Sequence, residues 1–420
     1  MSTTAVPSTA PLDGAMYQPP KRQRIDSIDL LRGLVMVIMM LDHTRDYFSA
    51  ANYLFEPTDL SKTTVAIFLT RWITHYCAPT FFFLAGTGAY LRRARGATPS
   101  ELSKFLASRG LWLIFLELTV VRIGITFDLH YHAWTFGQTI WALGWSMIAL
   151  SVLVHLPTKA IAAFGLIMVA VHNAFDGMRV PQWKPGGPDL SVLQKLAMIL
   201  HQPGRFPVGG ANGTVFDNFY PLIPWIGVMA TGYAFGALYT MDAPDRRRIL
   251  LRLGSALVAV FVVLRATNLY GDAQPWSVQK NAAFTVLSFL NVVKYPPSLL
   301  YLCMTIGPGI LFLAYAERER RGRIGSALVT FGRVPMLFYL LQFYVAHLLA
   351  FAAFIAVGKP TGALYLGPAN HPSAAVFAQS GFDLWVTYLF WIIGVLLIYP
   401  ICRWHADVKR RRNDWWLSYI

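Results

Sequence analysis

Stretches of about 20 apolar residues recur along this chain, and short basic runs stand between many of them. A segment of that kind crosses a bilayer as a helix, because a helix satisfies its own backbone polar groups where water is absent. Ten spans are read near 27–48, 65–91, 106–127, 136–155, 159–175, 221–240, 250–269, 295–316, 333–357 and 382–403. The bulk balance agrees: 55% of the residues are hydrophobic, only 14% are charged, and the mean hydropathy is +0.45. The expected fold class is all-α, a polytopic membrane protein with about ten transmembrane helices.

A formal net charge of +15 would suit nucleic acid if it formed a stripe interleaved with stacking aromatics, and no such stripe is present. The charge instead gathers as KRQR (21–24), RRARG (92–96), RRRILLR (246–252), RERRGR (318–323) and KRRR (409–412). With ten spans all five runs fall on one side, the pattern of the positive-inside rule, which predicts N-in and C-in. The expected organisation is a disordered cytoplasmic tail over 1–23, a transmembrane domain over 24–405, and a basic, aromatic cytoplasmic tail over 406–420.

The loop at 176–220 is long and rich in Gly and Pro, and reads as a lid over an outward-facing pocket. The segment 281–294 is too short to span and reads as interfacial or re-entrant. KRQR followed by an apolar core and SAA at 49–51 also has the outline of a cleavable signal peptide; the charged residues just before the small ones argue against it. Cys77, Cys303 and Cys402 offer neither a metal-ligand spacing nor a disulfide framework.

Ionisable residues inside spans mark function more often than they face lipid, since each charge at the bilayer centre costs about 2.5–3.5 kcal/mol. Arg32 and His43 fall within about 20° of one helix face and about 16 Å apart along the axis, so they share a stripe at different depths. Arg71 and His75 share a face four residues apart, Glu117 and Arg122 lie in the third span, and His347 lies in the ninth. These groups are expected to line a common interior cavity. A structural ion pair of Glu117 with Arg71 or Arg122, and a packed core role for His347, remain the plainer readings of those residues. His130 and His132 are two apart on a loop, which is weak for a metal, and no metal is expected.

IDSIDLLRGLVMVIMMLDH resembles the first span of the integral-membrane acyltransferases: acyltransferase family 3 and the relatives with a heparan-α-glucosaminide N-acetyltransferase-type catalytic domain. The family 3 signature, an arginine, ten residues and a histidine, is met by Arg32 and His43. TRWITHYCAPTFFFLAGTGAYL (70–91), SKFLASRGLWLIFLE (103–117), YPLIPWIGVMATGYAFG (220–236), KYPPSLLYLCMTIGPG (294–309) and FGRVPMLFYLLQFYVAH (331–347) resemble the bacterial members of the heparan-acetyltransferase-like group. The resemblance therefore extends from about 24 to 403.

That resemblance implies acyl transfer across a bacterial plasma membrane, from cytoplasmic acetyl-coenzyme A to an amine or hydroxyl acceptor, a sugar or glycan, on the other side. It implies His43 as the catalytic histidine and Arg32 as its partner. One departure stands out: the lysosomal enzyme has asparagine at the position of His43 and places its proposed histidine in the following luminal segment, where DYFSAANYLFEPTDL has none.

Acyl transfer needs a base, a stabiliser for the oxyanion and a geometry that joins donor to acceptor. Histidine titrates near neutrality and fits the first task, either as base or as an acetylated nucleophile. Asp46, three residues after His43, is placed to orient it, and Arg71 or Arg122 to stabilise the oxyanion; Glu117 and His75 complete the expected catalytic set. Arg32, Arg92, Arg109 and Arg333, at the other span ends, are expected to hold the phosphates of the donor. The alternative is a multi-pass solute transporter with an intramembrane charged pathway. Topology is checked with reporter fusions: alkaline phosphatase inserted within 176–220 should be active and a fusion after 412 inactive, with a fluorescent protein giving the reverse.

Overall fold

The computed structural model describes residues 25–130, 134–210, 213–317, 322–365, 373–412 and 414–419. The expected tail over 1–23, His132, and most of the RERRGR run lie outside the described residues. α1 (Asp26–Phe48) is one unbroken helix, and α2 (Ala50–Leu54) follows it. α3 (Val65–Ile73) starts where Thr64 caps the amide of Ile67, and a 3₁₀ turn at Thr74–Tyr76 links it to α4 (Cys77–Ala94). The turn has a local cause. Pro79 has no N–H to offer the carbonyl of His75, and the Tyr301 hydroxyl takes that carbonyl instead at 2.8 Å.

α5 (Pro99–Leu116) opens with a Thr98/Glu101 capping box and Pro99 in its first turn. It passes through a π-helical segment, Glu117–Val121, into α6 (Arg122–Thr126). α7 (Thr139–Leu153), α8 (Thr158–Val171), α9 (Val192–Leu200), α10 (Leu222–Phe235), α11 (Ala243–Thr267) and α12 (Ala282–Leu290) follow. α13 (Leu299–Ala316), α14 (Arg323–Arg333), α15 (Pro335–Ala356), α16 (Ala374–Gln379) and α17 (Leu384–Arg411) complete the chain.

Among the described residues, six helical segments are long and apolar enough to cross a membrane: Thr158–Phe175, Leu222–Thr240, Ala243–Thr267, Leu299–Ala316, Pro335–Ala356 and Leu384–Arg411. The other four expected spans are built differently: α1 carries charge at both ends, the next two are interrupted at Thr74–Tyr76 and Glu117–Val121, and α7 has only 15 residues.

The all-α expectation needs one correction. β1 (Trp134–Gly137), β2 (Gly204–Val208) and β3 (Thr214–Asn218) form a sheet in the order β1-β3-β2, β1 parallel and β2 antiparallel to β3. Asp217 is 5% exposed, and Arg205 holds both of its oxygens at 2.6 and 2.7 Å. The 176–220 loop is thus an ordered layer holding α9 and two strands. Segment 281–294 contains α12, nine residues and too short to span. Its last carbonyls, those of Ser288, Phe289 and Asn291, accept hydrogen bonds from the buried Arg265 at 2.7–3.0 Å. α17 continues to Arg411 instead of ending at 405, and beyond it Leu417 is buried and Tyr419 meets Ser108 and Trp112 on α5.

α1 is the hub, packed against α4, α13, α14, α15 and α17. Its crossing with α14 is close enough that only glycine fits: a Cβ on Gly332 would stand 1.8 Å from the Asp29 carbonyl oxygen, and one on Gly33 1.8 Å from that of Leu328. Past α1, Phe382 and Ala50 exchange backbone bonds with the neighbouring chain (Phe382 N–H to Phe48 O, Ala50 N–H to Phe382 O), which ties the start of α17 to the end of α1. Gly332→Val is expected to force α1 and α14 apart and to cost at least about 1–3 kcal/mol. A thermal melt in detergent should fall by several degrees, while Gly88→Ala, with open space at its Cβ, should not move it.

Candidate functional site

At the end of α1 that carries His43, the helix presents Asp42, His43, Arg45 and Asp46 within a single turn. Asp42 is the anchor. Its two oxygens each accept from Arg71 Nη1 at 2.8 Å, and Oδ1 also accepts from Arg45 Nη2 at 2.9 Å and the Thr74 hydroxyl at 3.0 Å. Two cations on one carboxylate, all three side chains no more than 14% exposed, tie α1 to α3 by charge-assisted bonds. Arg45 Nη2 also reaches Asp46 at 2.8 Å, and its Nη1 reaches Asn52 at 3.0 Å.

His43 lies beside this network rather than inside it. Its Nδ1 stands 3.5 Å from Asp46 Oδ2, an ion-pair distance longer than a good hydrogen bond. Its ring packs on Phe343 of α15, centroids 4.3 Å apart, and Phe343 packs in turn on Tyr339. The side chain of His43 is 18% exposed and that of Asp46 39%, so both remain accessible while Arg45 behind them is buried.

His75 is 3% exposed, and its Nδ1 has no hydrogen-bond partner among the described residues. It lies within electrostatic reach of Arg71, Lys294 and Asp42. Lys294 also acts on Asp42 and sits 5.1 Å from the ring of Tyr295, which packs edge-on against Tyr220. The structure therefore brings His43, Asp46, Arg71 and His75 to one polar seam, and adds Asp42, Arg45, Lys294 and Tyr295.

Glu117 stands elsewhere. It is fully buried at the start of the π segment, and Oε2 accepts the Ile140 and Trp141 amides, at 3.0 and 3.2 Å, at the start of α7. That helix start supplies unpaired N–H groups and a positive dipole end to the carboxyl. Oε1 has no partner among the described residues, and Tyr339 is the ring in electrostatic reach, so Glu117 joins the His43 seam only through Tyr339 and Phe343. An ion pair of Glu117 with Arg71 or Arg122 is absent among the described residues. Arg122 instead donates to the carbonyls of Asp128, His130 and Trp134 and holds the loop after α6. His347 is stacked between Tyr47 and Phe127, with its ring nitrogens on the carbonyls of Gly124 and Leu364. His130 pairs with Asp128 at 2.6 Å, and this contact with the His130 amide keeps Asp128, although burial opposes it, below the usual carboxylate range.

At the opposite end of α1, Arg32 donates to Asp29 at 3.2 Å and to the Gly332 carbonyl at 3.1 Å. Arg333 reaches Asp26 at 3.4 Å and lies 3.9 Å from Asp29. Arg109 and Arg92 cover the ring of Phe105, at 4.9 and 3.9 Å, and Arg109 feels the charges of both Arg92 and Arg32. Three of the four arginines expected at a donor site thus share one electrostatic neighbourhood, and the fourth is paired with acidic residues beside it.

A cavity of about 830 Å³ lies between α8, α9 and the 176–220 loop, and none of the candidate residues lines it. The site is a seam between packed helices, since α1 fills the middle of the bundle.

Residues 24–270 match the family model described as heparan-alpha-glucosaminide N-acetyltransferase, catalytic. No curated protein matches the chain. The match covers more than half of the sequence and includes α1, both interrupted spans and the sheet, and with it the chain belongs to the heparan-alpha-glucosaminide N-acetyltransferase catalytic-domain family, as a membrane protein of the acetyltransferase class.

Proposed function

We propose that the protein transfers an acetyl group from acetyl-coenzyme A, held from the cytoplasm at the Arg32 end of α1, to an amine or hydroxyl of a glycan or sugar acceptor at its extracytoplasmic His43 end. The single observation that supports this most is α1 itself: a cationic neighbourhood at one end, an accessible histidine beside a carboxylate at the other, and about 16 Å of helix between them. The sidedness follows the basic runs, with ten passes and the plasma membrane as the setting.

In this reading Arg32, Arg92 and Arg109, with Arg333 beside them, bind the anionic end of the donor, exchanging contacts with Asp26, Asp29 and Phe105 for phosphate oxygens. The thioester is carried to the seam. His43 takes the proton from the acceptor as its nitrogen or oxygen attacks the carbonyl carbon, and Asp46 draws close to Nδ1 as positive charge develops on the ring. Arg71 and Lys294 stabilise the oxyanion, and Asp42 fixes Arg71 so that this stabilisation needs no rearrangement. Collapse of the tetrahedral intermediate breaks the C–S bond, and the thiolate leaves with the proton from His43. His75 lies behind Arg71, and Glu117 positions α7 and Tyr339.

The test is free-thiol release from acetyl-coenzyme A by purified protein in nanodiscs with a panel of amino sugars and glycans. His43→Ala should lower acceptor-dependent turnover by about 10²–10⁴-fold. Arg32→Ala should chiefly raise the KM for acetyl-coenzyme A. Failure of the wild-type protein to bind acetyl-coenzyme A, together with counterflow of a labelled solute, would overturn the reading in favour of a transporter. Framework and chemistry separate in a second measurement: Asp42→Ala leaves the little-exposed Arg71 without its carboxylate, and Arg45 with Asp46 alone, and should cost about 3–5 kcal/mol of stability, whereas His43→Ala should melt like the wild type.

A further inference from the structure

The cavity of about 830 Å³ lies within the size range of small-molecule sites, about 300–1,000 Å³. Phe164, Met168, Val171, Phe175, Met178 and Leu200 supply most of its wall, so it offers hydrocarbon and almost no hydrogen bonds. Its surroundings are apolar too. Ile167, Val171 and Phe175 on one side, and Val192, Leu193 and Leu196 of α9 on the other, are exposed, and α8 is itself one of the six membrane-crossing segments.

The polar groups at the cavity divide into two sets. His172 is bound to the carbonyls of Val169 and Pro297, and Gln202 exchanges two hydrogen bonds with the backbone of Val180, so both serve the fold. Arg179 is exposed and has no ion pair among the described residues. His201 has its Nε2 3.6 Å from Asp176, which also binds Asn173, and its buried Nδ1 has no partner among the described residues. A hydrocarbon chamber with a cation and an unsatisfied imidazole nitrogen at its rim complements an amphiphile with a long apolar chain and an anionic head.

We propose that this cavity is a lateral binding site for a membrane lipid with a phosphate headgroup, its chain seated between α8 and α9 and its phosphate against Arg179 and His201. A soluble sugar would find nothing to bond inside it, and a zwitterionic lipid would lack the net charge that Arg179 complements. None of the seam residues lines the cavity, and the proposal does not rest on the acetyl-transfer reading.

The test uses the full chain in nanodiscs carrying phosphatidylglycerol or phosphatidylcholine with a photoactivatable diazirine in the acyl chain, and cross-links are mapped by peptide mass spectrometry. With the anionic lipid, labelling should concentrate at Met168, Phe175 and Met178, several-fold above the exposed Leu396 and Leu397 of α17. Ala197→Trp, which fills the chamber, should lower it at least tenfold and leave α17 unchanged. Arg179→Glu, at an exposed position that keeps the test decisive if Ala197→Trp fails to fold, should abolish the preference for the anionic head. Labelling no higher than on α17, or unchanged in both variants, would mean boundary lipid only and overturn the proposal. Equal labelling by both lipids, or complete competition by inorganic phosphate, would do the same, the latter by showing a site for the free anion.

Discussion

The carboxylate of Asp42, shared by Arg71 and Arg45 in a setting little exposed to solvent, is the interaction on which the polar end of the bundle rests. Asp42 and Asp46, which Arg45 also holds, together balance the two arginines, and Lys294 then leaves one positive charge in excess beside His43 and His75. Such an excess is costly inside a membrane protein and costs least where an anion or a developing oxyanion is to be met. The same network fixes the orientation of α3 relative to α1, so that the interrupted second span and the histidine-bearing first span move as one body.

Two neighbouring features depend on that arrangement. The 3₁₀ turn at Thr74–Tyr76 lets Thr74 reach Asp42 while His75 turns inward, and the turn exists because Pro79 releases a carbonyl that Tyr301 then satisfies. The π segment at Glu117 turns that carboxyl to the start of α7, where backbone amides lack helical partners. Both are local departures from a regular helix, and both sit at residues whose chemistry would be hard to sustain facing lipid.

Six of the ten expected spans were legible because apolar length is a property of sequence alone, and the stripe joining Arg32 to His43 because helical periodicity is one too. The pairing of Asp42 with Arg71 was not, since it joins two spans whose relative rotation only packing decides. Asp42 does stand about 100° around the helix from His43, but nothing local names Arg71 as its partner. The sheet escaped because its strands, four or five residues long, carry no sustained alternation, and β1 pairs with β3 only across 81 residues of chain. Arg122 read as an intramembrane charge of the site because the backbone carbonyls that its guanidinium holds, those of Asp128, His130 and Trp134, leave no signature in the sequence.

The glycine contact between α1 and α14 also bears on how the molecule is assembled. The matched family region ends at 270, yet the helix carrying Arg32 and His43 takes most of its packing partners from chain beyond 298: Gly332 against its first turns, Phe343 against His43, and the Trp391 indole on the carbonyl of Val37. As the ribosome delivers the chain from its N-terminus, α1 therefore emerges before most of the helices that complete its packing. Its polar flank stays open until α14, α15 and α17 arrive, so a protein truncated after the matched region would hold His43, Asp46 and Arg71 and still lack Lys294 and the walls that keep His43 in place.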